Sequence, residues 1–451
     1  MISPRTPPGV LELLPPDQAA MRRMLDTVRR SYERFGFVEI ETPVFERTDV
    51  LLTKTGGDTE RQVYFVQSTG AIENGSPPEM ALRFDLTVPL ARYVAEHQND
   101  LTFPFKRYQI QRSYRGERPQ RGRFREFYQC DIDVIGRETL SFRHDGELPA
   151  VIAAVFADLG VGDFTIRINS RTLMRGLLES LGIDVEERQA DILRTVDKLD
   201  RLERDGVAAA LRGDGVPAAV AEAILDLAVV RRVGATAAIA HLDAIPPAND
   251  LVRQGVEELT VVFSTLEALG VDPSVYALDL GVARGLDYYT GTVYETVLDD
   301  HPEIGSVCSG GRYENLAGMY TSTKLPGVGL SIGLTRLFWQ LREAGLVAAG
   351  PTSVEAYVTV MDDDGVRAAM RLTTLLREAG VNTDVAPEPA KLGKQMKHAD
   401  RLGARVALIV GEDERANGTV TVRDLAANEQ FEVAERDVAE AVLTRIRSGA
   451  S

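Results

Sequence analysis

Apolar residues recur along this chain at two spacings, every three to four residues or every second residue, and the two spacings mark its elements. Met21, Met24, Leu25, Val28, Tyr32 and Phe35 share a face at helical spacing, which predicts a helix over Asp17–Phe35, with Asp17 as its cap and Gly36 as its stop. Phe37–Ile40 and Met80–Phe84 read as short strands, and VPLARYVAEH after the second reads as a helix with Pro89 in its first turn, where proline is tolerated. Phe105–Arg115 and Phe124–Ile135 alternate, which predicts a long antiparallel hairpin joined by the polar link Gly116–Arg123. Side chains two apart share a strand face, so Gln129, Asp131 and Asp133 should line one surface, opposite Tyr128, Cys130, Ile132 and Val134.

Further along, Arg171–Phe263 is rich in Ala and Leu at helical spacing and reads as a mostly helical insertion without a chemical motif. Tyr276–Leu280 and Thr292–Val297 are strands around ARGLDYYTG; CSGGRY (308–313) reads as a strand end and glycine turn entering a helix. Gly327–Gly333 is a strand threaded with glycines, a pattern that suggests close approach by a ligand or by backbone. The next helix carries Leu334, Leu337, Phe338 and Leu341 on one face. Beyond a linker at Ala348–Thr352, strands over Val354–Val360, Val381–Val385, Val406–Val410 and Thr419–Arg423 alternate with helices, the pattern of a separate α/β domain.

Charge sharpens this picture. The chain of 451 residues carries a net charge of −16, which does not suggest a nucleic-acid binder. Yet Lys106–Arg125 holds eight Lys or Arg against one acid, Glu117, a local inversion that points to phosphate or nucleic acid. Lys394, Lys397 and Arg401 fall on one face of a predicted helix Lys391–Leu402, a face that alone fits a solvated surface. The two cysteines, Cys130 and Cys308, make neither a disulfide framework nor a zinc motif and are expected in the core. No apolar run reaches the length of a membrane span and the first residues lack a signal-peptide layout, so a cytoplasmic protein is expected.

The candidate chemistry lies in four places. Arg284, Asp287, Tyr288 and Tyr289 sit among Gly281, Gly285 and Gly291; alone, that stretch also fits a surface hairpin closed by a salt bridge. Asp85 and Thr87 precede a helix and could act as caps or as ligands. The hairpin loop and its flanks supply Arg115, Glu117, Arg118, Gln120, Arg121 and Arg123. Arg336 stands in the first turn of a helix, where a cation opposes the helix dipole and hints at a bound anion.

In order, RFDLT, YRGERPQRGRFREFYQCDID, ARGLDYYTG, CSGGRYENL and GVGLSIGLTR, followed by a small α/β domain, resemble the histidyl-tRNA synthetases over nearly the whole chain. The resemblance implies an α+β fold: a class II antiparallel-sheet catalytic domain (1–170 and 264–347) interrupted by a helical insertion (171–263), then an anticodon-binding domain (353–451). It implies a homodimer with its interface near the first helix and Pro43. It further implies that ATP, with Mg²⁺, activates L-histidine to the adenylate, which then esterifies the 3′ end of tRNA(His).

By the same resemblance, Asp85, Thr87 and Gln129 would hold the substrate α-amino group, and Tyr288 and Tyr313 would belong to the histidine site. Asp133 and Tyr289 would read the two imidazole nitrogens, with Asp131 the alternative to Asp133. Arg115 and Arg284 would grip the substrate carboxylate and the α-phosphate, Glu117 the adenine, and Arg123 and Arg336 the outer phosphates. Arg118, Gln120, Arg121, Lys394, Lys397 and Arg401 would face tRNA. Many bacterial members carry Glu where this chain has Asp85 and Asp133, whereas its ERPQRGR loop resembles theirs. Catalytically silent paralogues share the fold, but those acting as biosynthetic regulatory subunits typically lack the anticodon module and motif arginines; here Arg115, Arg284, Arg336 and the last domain are present.

Overall fold

The computed structural model describes residues 3–52, 62–118, 122–282, 289–315, 317–347 and 352–448. The chain divides into two compact units, one from Met1–Glu12 and Met24–Leu346, the other from Leu13–Arg23 and Val347–Ser451.

The larger unit contains twelve described strands: β1 (Val38–Glu39), β2 (Phe45–Arg47), β3 (Tyr64–Val66), β4 (Met80–Leu82), β5 (Phe105–Tyr114), β6 (Glu126–Ile135), β7 (Phe164–Ser170), β8 (Arg231–Val233), β9 (Tyr276–Asp279), β10 (Thr292–Leu298), β11 (Cys308–Tyr313) and β12 (Gly327–Ile332). Nine form one sheet in the order β1-β5-β6-β12-β11-β10-β7-β9-β8, and β2-β4-β3 form a small separate sheet. The large sheet is antiparallel except for the β1–β5 and β7–β9 pairs. The expected hairpin is β5–β6, in register from Phe105↔Ile135 to Tyr114↔Glu126.

One face of this sheet is apolar. Cys130, Ile132, Val134, Val328, Leu330 and Ile332 are buried there, on the side of helices Arg143–Leu159 and Leu334–Glu343. The helix Pro15–Arg34 brings Tyr32 to the same side, where its hydroxyl donates to the Cys130 carbonyl at 2.9 Å. The opposite face is polar but also buried: Arg107 and Gln109 on β5, and Gln129, Asp131 and Asp133 on β6. Alternation set the composition of each face; covering both faces is a tertiary event.

Three expectations need correction. Asp17 lies within the first turn of a helix that already begins at Pro15, rather than capping it. CSGGRY is an unbroken strand, β11, with no turn into a helix. β9 and β10 are not a hairpin, because β7 lies between them. In the segment read as a helical insertion, a short strand, β8, joins the sheet edge. The segment's end helices, Arg171–Ser180 and Asp250–Ala268, pack so closely that a Cβ on Gly255 would lie 2.6 Å from Leu173.

The smaller unit carries β13 (Ala356–Val358), β14 (Thr383–Val385), β15 (Val406–Ile409), β16 (Thr419–Asp424) and β17 (Glu429–Ala434), ordered β14-β13-β15-β16-β17. The last strand was not predicted. Val358, Leu372, Leu376, Val406, Leu408, Val422 and Val442 form its core. The helix Leu392–Leu402 is pinned by buried Gln395, whose amide accepts from the Val360 N–H at 2.9 Å and donates to the Val360 carbonyl at 2.8 Å. That pin turns Lys394, Lys397 and Arg401 outward to solvent.

Candidate active site

The polar face of the sheet becomes a site because glycines clear it. Register places Gly311 on β11 opposite Gly329 on β12, and Gly329 opposite Asp133 on β6. A Cβ on Gly329 would lie 2.1 Å from Asp133 Oδ1, and one on Gly311 would lie 2.9 Å from the Tyr289 ring. One on Gly327 would lie 2.4 Å from the Tyr313 ring. The glycines of β11 and β12 thus form a floor for the side chains of neighbouring strands, which is why strands otherwise weakened by glycine carry so many.

Over this floor Asp133 is held at both oxygens. The Tyr313 hydroxyl donates to Oδ1 at 3.0 Å, and Arg107 Nη2 lies 2.5 Å from Oδ2. Burial pushes the Tyr313 phenol well up, so it remains a donor. Tyr313 is itself steadied from beneath. Its neighbour Arg312 points to the apolar side, where Nη1 meets buried Asp145 at 2.7 Å and Nη2 donates to the Leu140 carbonyl at 2.6 Å.

Asp85 combines the two roles left open by the sequence. Oδ1 accepts from the Val88 N–H at 3.1 Å and so caps the helix Thr87–His97, while buried Oδ2 has no hydrogen-bond partner among the described residues. Thr87 opens that helix and is half-buried. Gln129 donates to Ser331 Oγ at 3.0 Å, and its Oε1 is likewise without a partner among the described residues. Burial raises Asp85 and Asp133 from 3.8 to about 6 and Asp131 to about 7, with Arg107 opposing the shift in all three.

Next to these groups opens a cleft of about 490 Å³, whose walls include Asp85, Arg115, Glu117, Arg123, Phe127, Gln129, Ser331 and Arg336. Arg115 donates from Nε to the Phe84 carbonyl at 3.1 Å and lies 5.1 Å from the Phe127 ring centre. Glu117 and Arg123, expected to meet different parts of one ligand, pair with each other at 3.3 Å. Arg336 donates to the Ile304 carbonyl at 2.7 Å. That bond orients it toward the cleft from the first turn of its helix.

Among the sequence candidates, the cleft walls bring together Asp85, Arg115, Glu117, Arg123, Gln129 and Arg336; Asp133, Tyr289 and Tyr313 gather on the adjoining glycine floor. Arg118 is exposed beside the cleft loop. Gln120, Arg121, Arg284, Asp287 and Tyr288 lie outside the described residues. Lys394, Lys397 and Arg401 belong to the smaller unit. Sequence reasoning missed Arg107 and Phe127. Arg107 was counted only in the basic run, although its alternation with Gln109 and Gln111 sets it on the same face as their cross-strand partners Asp133, Asp131 and Gln129.

An antiparallel sheet whose polar face offers guanidiniums and buried carboxylates around a nucleotide-sized cleft defines a class II aminoacyl-tRNA synthetase. Comparison with known proteins agrees. The histidyl-tRNA synthetase family model matches residues 9–337, and an anticodon-binding domain model matches 355–445. The chain is 58% identical to the histidine–tRNA ligase of Stenotrophomonas maltophilia over 97% of each chain. It is 57% identical to that of Xanthomonas axonopodis pv. citri, over 97% of this chain and 95% of that one. It superposes on the crystal structure of histidyl-tRNA synthetase from Nostoc sp. PCC 7120 with a TM-score of 0.90 at 40% identity, covering 99% of this chain and 100% of that one. The chain therefore belongs to the histidyl-tRNA synthetase family, and its activity is that of a histidine–tRNA ligase.

The raised carboxylates predict a pH effect. Groups whose folded pKa exceeds 3.8 favour the fold fully below about pH 4 and lose that contribution as pH rises through 6 to 7. A ligand carrying an ammonium group offsets the loss by pairing with the ionised forms. The rise in thermal midpoint caused by L-histidine is expected to be larger at about pH 8 than at about pH 5.5, and the difference should shrink in Asp85→Asn. Equal rises at both pH values in the wild type would exclude this account.

Proposed function

We propose that the glycine floor is the seat of the histidine side chain and that the adjoining cleft holds ATP. The observation that carries this reading is the convergence of Asp133, Tyr313 and Tyr289 over Gly311 and Gly329. Imidazole presents two nitrogens at fixed separation, and a carboxylate with a phenol across from it satisfies both. Asp133 is the better reader than Asp131. Its carboxylate lies over the floor beside the phenols, whereas Asp131 stands two residues along β6, opposite Ser331. Asp85, Thr87 and Gln129 then take the α-ammonium, for which Asp85 Oδ2 and Gln129 Oε1, without a hydrogen-bond partner among the described residues, are acceptors.

Attack of the substrate carboxylate on the α-phosphorus requires no strong base, because the nucleophile is already ionised. It requires alignment and stabilisation of the negative charge that gathers on phosphorus. Arg115 supplies both from a fixed position. Its forked donors reach carboxylate and phosphate together, and it stays protonated. Arg284, by family resemblance, joins it there. Arg336 and Arg123 take the outer phosphates, and Phe127 offers aromatic surface to the adenine beside Glu117.

Mg²⁺ would enter with the nucleotide's phosphates. Among the described residues no group of three or more His, Cys, Asp or Glu is placed to hold a metal ion, and no step is derived through one. Transfer to the 3′ end of tRNA(His) follows, with Arg118, Gln120 and Arg121 toward the acceptor end. The outward basic face of helix Leu392–Leu402 takes the anticodon arm.

The protein acts as a homodimer in the cytoplasm on this reading. Among the described residues no helix is long and apolar enough to cross a membrane. The small sheet β2-β4-β3, next to Pro43, presents Phe45, Tyr64, Val66, Met80 and Leu82 on one face together with Arg47, and Phe45 and Met80 are 51% and 46% exposed. A second copy covering that apolar face would remove it from water.

Three measurements test these assignments. Arg115→Ala should lower histidine-dependent ATP–pyrophosphate exchange about tenfold to a hundredfold, the consequence of losing roughly 1.5–3 kcal/mol from a charged donor; exchange within twofold of wild type would refute its role. Charge reversal at Lys394 and Lys397 should weaken tRNA charging while exchange without tRNA continues, and unchanged charging would remove the anticodon-arm assignment. Phe45→Asp combined with Met80→Asp should yield a monomer by light scattering, whereas a persisting dimer would place the interface elsewhere.

A further inference from the structure

Arg107 is a cation of the polar layer that no role yet explains. It lies within the sheet, on a strand paired with β1 on one side and β6 on the other, and it is fully buried. A guanidinium cannot shed its proton to ease burial, so its presence there needs a partner. The partner is Asp133, directly opposite in register, 2.5 Å from Nη2. Arg107 Nε, Nη1 and Nη2 make no hydrogen bond to any described residue, so its contact with Asp133 is an ion pair.

The groups facing Asp133 can be stated element by element. β5 contributes Arg107, and β6 itself contributes Asp131 two residues away. β12 contributes only Gly329 and Ser331, and β11 contributes the Tyr313 hydroxyl. Asp85 adds a further negative charge from the turn before helix Thr87–His97. Tyr289, over Gly311, is near Tyr313. Of the cations near these three buried carboxylates, Arg83 acts on Asp131, Arg115 on Asp85, and Arg107 on all three. Without Arg107, desolvation and mutual repulsion would drive protons onto them. A protonated Asp133 would present a donor where an imidazole N–H needs an acceptor.

Orientation is the second consequence. An aspartate gripped only through Tyr313 could swing about its short side chain. Ion-paired at Oδ2 with Arg107 and hydrogen-bonded at Oδ1 to Tyr313, above a glycine that leaves no side chain in the way, it is restrained at both oxygens.

We propose that Arg107 is a positioning residue for histidine recognition: it holds Asp133 ionised and aimed over the glycine floor, and so sets affinity for the amino acid without touching ATP. This rests on the assignment of Asp133 as the imidazole reader. Arg107 forms no part of the cleft wall, so its effect on nucleotide binding is indirect.

The test measures ATP–pyrophosphate exchange with the full chain across pH for wild type, Arg107→Met, Arg107→Lys and Asp133→Asn. Arg107→Met is expected to raise KM for L-histidine roughly tenfold or more with KM for ATP within about twofold. It should also move the acid limb of kcat/KM for histidine to higher pH, because Asp133 now holds its proton longer. Arg107→Lys, which keeps the charge but not the fork, should restore the acid limb while KM for histidine stays raised. If Arg107→Met lowers kcat/KM for histidine and ATP equally with an unmoved acid limb, Arg107 is only scaffold and the proposal is overturned. Should Arg107→Met fail to fold, Arg107→Lys decides: KM for histidine equal to wild type overturns the proposal. Asp133→Asn separates the two layers of the argument. If it leaves KM for histidine unchanged, the imidazole-reader assignment fails; if it raises KM while Arg107→Met does not, only the positioning role fails.

Discussion

The architecture turns on burying charge on one face of a sheet whose other face is already the hydrophobic core. A carboxylate removed from water costs several kcal/mol unless it is paired and hydrogen-bonded. The polar layer holds Asp85, Asp131 and Asp133, all buried, with the buried guanidiniums of Arg107 and Arg83 beside them. Asp85 Oδ2 in that layer has no hydrogen-bond partner among the described residues. On the proposed assignment, a substrate bearing an α-ammonium group supplies part of what is lacking. Binding and electrostatic relief are then the same event, and affinity for an amino acid is built into the cost of folding.

That layer also explains the glycines. A strand normally fills both faces with side chains, and glycine in its interior is destabilising. Gly311, Gly327 and Gly329 are tolerated because the space they release is taken by Tyr289, Tyr313 and Asp133. On the far side of β11, Arg312 locks onto Asp145 and the Leu140 carbonyl, so the strand that carries Tyr313 is fastened through the sheet. Recognition groups on regular strands, braced from both faces, are held more tightly than loops would hold them.

The cleft beside this floor is the softer part of the site. Arg115 is tied to the Phe84 carbonyl and Arg336 to the Ile304 carbonyl, whereas Glu117 and Arg123 pair with one another. A salt bridge between partly exposed groups is worth little, typically less than about 1 kcal/mol. It exchanges readily for contacts with a nucleotide. The division between a stiff glycine floor and an adaptable cleft follows from which residues are buried.

Much of this was legible in the linear chain. Alternation along 124–135 placed Gln129, Asp131 and Asp133 on one face, and their common burial on the polar side of β6 is what that period requires. The charge inversion over 106–125 marked a stretch whose Arg115 and Arg123 line the cleft, and helical spacing put Lys394, Lys397 and Arg401 on one outward face. Local chemistry decides such features, because the period of a strand or helix is a property of the backbone. Other features were decided only when distant strands met. β7 entered between β9 and β10, so a stretch that reads as a hairpin is a crossover. The glycines of CSGGRY looked like a turn because their neighbours, the β12 backbone for Gly310 and the Tyr289 ring for Gly311, come from elsewhere in the chain. Arg107 looked like one more cation in a basic run until register set it opposite Asp133 and burial made it a counter-ion. Register and burial are relations between segments, and no periodicity within one segment records them.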